Sequence, residues 1–88
     1  MAHVLAKLSG VKLADVKHQL ETDASAHAEQ GMYVEHLWRN SDNPDEIFFL
    51  FRVNNLNHCK QMMNNIHADA RREIPDAKLP DVVFLDDA

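Results

Sequence analysis

Six histidines in 88 residues are the first chemical feature of this chain. Imidazole changes charge near neutral pH and is the commonest metal ligand, so acid–base work and metal binding are the two chemistries to weigh. The spacing argues against a local metal site. His18 and His27 are nine residues apart, as are His58 and His67. Nine helical residues turn through about 900°, which sets the members of each pair on opposite sides of a helix. No H-x-x-x-H or H-x-x-E-H pair occurs, so no metal ligands are assigned, and a metal would have to be held by separate elements.

Two of the histidines, His27 and His67, fall on or beside apolar helical stripes. There they are placed to act as a general base or to bond a ligand in the space between helices and sheet. The same position also suits a half-buried histidine bonded to backbone or water. His36 and Trp38 share one face of a strand. Trp38 would wall an aromatic-substrate pocket with His36 as proton acceptor, or else pack at a subunit interface, where Trp is enriched. Strict alternation puts Tyr33 on the opposite face, offering a hydroxyl. His27, His67 and His36 are thus the catalytic candidates, and Trp38, His36, His27, His67 and Tyr33 the ligand-binding ones. Cys59 lies on an apolar stripe and reads as a small buried hydrophobe. Met62 and Met63 read as adaptable core filling. Asp42, Asp45 and Glu46 lack EF-hand spacing and read as turn chemistry. There is no Gly-rich phosphate loop and no G-x-S-x-G element.

The elements that position these residues follow from periodicity. Val4, Ala6 and Leu8 alternate with His3, Leu5 and Lys7, giving a strand over Ala2–Leu8. Leu13, Val16, Leu20, Ala24, His27 and Ala28 recur every three or four residues, giving one helix over Leu13–Gln30 with Gly31 as its left-handed cap. The alanines near its end leave either a very close contact or a space. Met32–Asn40 is a strand with Met32, Val34, His36 and Trp38 on one face and Tyr33, Glu35, Leu37 and Arg39 on the other. The cluster Ser41-Asp42-Asn43-Pro44-Asp45 turns it into a hairpin with the strand Glu46–Val53. Asn54 or Asn55 caps a second helix whose stripe is Leu56, Cys59, Met63, Ile66 and Ala70. Pro75 stops that helix, 76–80 is a loop, and Val82–Leu85 is a last strand.

The order βαββαβ predicts one α+β domain over residues 1–88, a ferredoxin-like four-stranded antiparallel sheet with two helices on one face. Its third strand is apolar on both faces: Ile47, Phe49, Phe51 and Val53 point one way, Phe48 and Leu50 the other. A sheet with one wet face should alternate apolar and polar residues. Two helices cover one face only, so a second subunit is expected over the other, sheet against sheet at roughly 10 Å. So short a chain buries only about 60–65% of its unfolded surface, which also favours self-association.

Composition narrows the partners. Nine basic residues against fourteen acidic ones give a net charge of −5, which disfavours nucleic acid and anionic membranes. The longest pure apolar run, Ile47–Phe51, is far short of the roughly 20 residues of a membrane span. Met1–Val11 carries no signal-peptide pattern. The single Cys59 excludes an internal disulfide and points to a reducing, cytoplasmic setting.

Three stretches carry a family resemblance. They are His3-Val4-Leu5-Ala6-Lys7-Leu8, the run Arg39-Asn40-Ser41-Asp42-Asn43-Pro44-Asp45-Glu46 leading into Ile47–Phe51, and Pro80-Asp81-Val82-Val83-Phe84-Leu85-Asp86. With the first helix they cover most of the chain. It resembles the dimeric α/β-barrel superfamily, within it the small proteins grouped with antibiotic biosynthesis monooxygenases and polyketide cyclases. Val16 stands where that group usually has an aromatic residue, and the segment 64–79 departs from its usual second-helix ending. The resemblance implies a homodimer and, for the members that oxidise aromatic polyketides, chemistry without metal or flavin. The haem-degrading branch is recognised by an Asn, a His and a Trp in set positions; that pattern is not matched here, and no catalytic residue is carried over.

The leading expectation is therefore a homodimer that binds a small aromatic or polyketide-like molecule, as a cofactor-free monooxygenase or cyclase. The alternative is a non-catalytic dimerisation or regulatory module. A third reading, haem or metal binding, predicts a Soret band or bound metal after purification.

Overall fold

The computed structural model describes residues 1–75 and 79–88; most of the expected loop over 76–80 lies outside them. Strand β1 (Ala2–Ser9) is followed by helices α1 (Leu13–Thr22) and α2 (Ala24–Glu29). The hairpin β2 (Met32–Arg39) and β3 (Glu46–Val53) comes next, then α3 (Leu56–Glu73) and β4 (Asp81–Leu85). The sheet order is β2-β3-β1-β4, with every neighbouring pair antiparallel. This is the ferredoxin-like α+β fold that the element order predicts.

Burial along β3 alternates strictly. Ile47, Phe49, Phe51 and Val53 are buried, while Glu46, Phe48, Leu50 and Arg52 are half-buried. Together with Val4, Ala6, Val16, Met32 and Cys59 the four buried β3 residues form the core. Cys59 is fully buried, its Sγ–H 3.8 Å from the Met32 sulfur, and burial pushes its thiol pKa up. It is therefore packing and not a nucleophile.

Helix ends follow the local chemistry. Gly31 adopts a φ of +73°, and a Cβ there would sit 3.3 Å from the Asn54 side chain. The left-handed turn and the tight approach together require glycine. Asn55 caps α3, its side-chain oxygen accepting from the His58 backbone N–H at 3.0 Å. Ile74, held extended by the following Pro75, ends the helix. At the hairpin, Asn40 and Asn43 accept from the backbone N–H groups of Asp42 and Asp45, closing two local turns.

Two expectations are corrected. The first helix is not continuous: it bends at Asp23, where φ is −91° and ψ 2°. The Thr22 hydroxyl donates to the His18 carbonyl at 2.9 Å, a back-bond that bends helices, and Gln19 donates to the Asp23 carboxylate at 2.7 Å. The faces of β2 also differ from strict alternation. Val34 pairs with Phe51 but His36 with Leu50, so the register shifts across Glu35. That β-bulge flips the rest of the strand. Tyr33, His36 and Trp38 share the face away from the helices, while Met32, Val34 and Leu37 share the helix side. No helix among the described residues is long and apolar enough to cross a membrane.

Candidate functional site

Between the helices and the sheet lies a cleft of about 690 Å³. Its floor is apolar sheet: Ala6, Leu8, Met32, Phe49, Phe51 and Val82. Its walls come from Leu20 and Ala26 on one side and Met62, Met63 and Ile66 on the other. The space exists because side chains needed to fill it are missing. Helix α2 has no buried residue, and its alanines do not reach the sheet. The second half of the α3 stripe also stands off, leaving Ile66 55% exposed. The alanine-rich end of the first helical stretch thus leaves room and not a close contact.

The cleft brings together two of the histidines singled out from sequence. His27 projects from α2, its ring edge-on to Phe51 with centroids 5.0 Å apart. Its Nδ1 is buried and has no hydrogen-bond partner among the described residues, which is rare for a buried polar atom. His27 also lines a neighbouring hollow of about 400 Å³ with Met32, Tyr33, Val34 and Leu37. His67 enters from α3. Burial lowers its pKa, with the Arg71 guanidinium adding a smaller push in the same direction. A neutral imidazole results at neutral pH, able to accept a proton or a hydrogen bond.

His36 and Trp38 lie elsewhere. Their rings stack at 4.9 Å and 15° on the sheet face away from the helices. Tyr33 is on that face too, its ring 4.9 Å from the Arg52 guanidinium. His3 bonds Glu35 at 2.8 Å across the same surface. Tyr33, Trp38, Val83 and Leu85 there are 37%, 45%, 53% and 39% exposed, an apolar patch that none of the described residues covers.

One part of the cleft escapes sequence reasoning. Gln19, Asp23, Glu29 and Gln30 form a polar rim on the α1–α2 side. Apolar periodicity marks only what faces the core, so these residues read as solvated surface. The Thr22-Asp23 pair, both poor inside helices, was the available signal for the bend that carries the rim. Among the described residues no three His, Cys, Asp or Glu side chains gather closely enough to hold a metal ion.

No family model matches the chain, and none of the curated proteins compared with it does. Among solved structures it is similar to a Deinococcus radiodurans protein provisionally assigned as an antibiotic biosynthesis monooxygenase. That likeness has a TM-score of 0.62 at 14% identity and covers 100% of this chain and 93% of the other. An uncharacterized NIPSNAP domain protein from Burkholderia xenovorans is similar with a TM-score of 0.58 at 13% identity, covering 100% and 95%. At such identity the likeness is one of fold: the chain has the ferredoxin-like architecture of both.

Proposed function

We propose that the protein binds a small, largely apolar aromatic or polyketide-like molecule in the cleft between helices and sheet. The observation that carries this reading is an apolar space of about 690 Å³ lined by His27 and His67, with the buried His27 Nδ1 unpartnered among the described residues. Ligand sites are typically apolar cavities of about 300–1,000 Å³ with a few convergent polar groups. If the bound molecule is also turned over, the imidazoles present supply proton abstraction: His67, or else His27, would take a proton from an acidic C–H or phenol, as cofactor-free oxygenation or cyclisation requires. The name of the Deinococcus structure agrees with that chemistry.

The working unit in this proposal is a cytoplasmic homodimer joined through the open sheet face. Support comes from the exposed Trp38, Tyr33, Val83 and Leu85 around half-buried Phe48 and Leu50. We assign His36 and Trp38 to that interface, and Tyr33 to its border with the smaller hollow.

The test is a thermal-shift screen against aromatic, polyketide-like and tetrapyrrole compounds, with oligomeric mass measured on the same sample. Ligand at a hundred times its dissociation constant stabilises by about 2.7 kcal/mol. A hit lost in His27→Ala or His67→Ala, but kept in Trp38→Ala, is expected. A dimer with no hit would leave the protein as an interaction module.

A further inference from the structure

The rim of the cleft is chemically one-sided. Asp23 and Glu29 line it, with the amides of Gln19 and Gln30, while no described Lys or Arg does. Gln19 bonds one oxygen of the Asp23 carboxylate, and Gln30 Oε1 is held by His58 Nε2 at 2.7 Å. Neither carboxylate has an ion-pair partner among the described residues. Arg71, one turn beyond His67, lies outside the lining. The floor, by contrast, is aromatic and thioether: Phe49 and Phe51 stand edge to face with centroids 5.6 Å apart, beside Met62 and Met63.

An apolar floor beneath an unneutralised acidic rim is a specificity device. Asp23 is half-buried and Glu29 exposed, so their field is partly screened, but it still disfavours an anion at the rim and favours a cation. Resting on the ligand-binding reading above, we propose that the cleft takes an aromatic molecule bearing a protonated amine and rejects its carboxylate counterpart. The aromatic body lies on the Phe49–Phe51 floor, and the ammonium sits at the rim in the combined field of Asp23 and Glu29.

Three probes with one aromatic body separate the possibilities: naphthylmethylamine, naphthylmethanol and naphthylacetate. Each is titrated into the ¹⁵N-labelled protein at about pH 8, where the amine is charged. Shifts are expected at the amides of Ala26, His27, Met63 and His67. The amine should bind tightest and the acid weakest, with about tenfold between them. In the double variant Asp23→Asn, Glu29→Gln, which keeps side-chain shape, that gap should shrink below about threefold. Equal affinity of the amine and the alcohol, or an acid that binds as tightly as either, would overturn the charge selection while leaving the cleft intact. A gap that survives the double variant would overturn the role of the rim. No cleft shifts with any probe would overturn the ligand-binding reading itself, and this inference with it.

Discussion

Both faces of β3 carry large apolar side chains, and they differ in fate. One face, Ile47, Phe49, Phe51 and Val53, is buried on the helix side. The other, with Phe48 and Leu50, stays half-exposed beside Trp38 and Tyr33. Hydrophobicity alone therefore does not say what a surface is for. What decides is whether this chain has anything left to cover it. The helix side also divides in two. Val16 and Cys59 close one part, while the alanines of α2 leave the other open as the cleft.

Breaking the buried face should cost most. Phe51 is 2% exposed, and Phe51→Ala is expected to destabilise by about 3–5 kcal/mol in urea unfolding. A loss under about 1 kcal/mol would mean that the helices do not close that face. Charging the open face should act on assembly: Leu50→Lys is expected to raise the dimer dissociation constant about thirtyfold or more in sedimentation equilibrium. An unchanged mass distribution would remove the proposed interface. Asn55→Ala is a control on neither face. Loss of the cap should cost about 1 kcal/mol, or about 4–8 °C in Tm, and leave dimer and ligand binding unchanged.

The smallest effect is a pH slope. The folded state lowers the His67 pKa, so the unfolded chain binds more protons as pH falls through about 6.5. Stability should be full above that value and decline below it, down to the lowered folded pKa. His67→Asn should flatten this part of the curve. A slope that survives the substitution would place its origin in another histidine.

Much of this architecture was legible. The period-two run in Ala2–Leu8, the turn cluster before β3 and the Asn54-or-Asn55 cap each gave an element that the fold contains. His27 and His67 were found because they lie beside helical stripes, and stripes point to the inner layer. The face of Tyr33 was not legible. A bulge at Glu35 leaves no glycine or proline behind, and one extra residue reverses every side chain after it. The bend at Asp23 was hidden for a related reason. Backbone bonds continue through it, from Asp23 N–H to the Gln19 carbonyl and from His27 N–H to the Asp23 carbonyl, so the apolar period runs on unbroken.

That same bulge bears on whether further strands can add to the sheet. β2 and β4 are the two sheet edges, and free edges invite strand-by-strand growth into fibres. The bulge interrupts the ladder along β2, and β4 runs for only five residues, the first of them Asp81. Both are devices that make an edge a poor template. Stickiness is thereby moved from the rims of the sheet to its open surface. A rim can recruit chains without end, whereas a face shared by two copies about a twofold axis is used up after one partner.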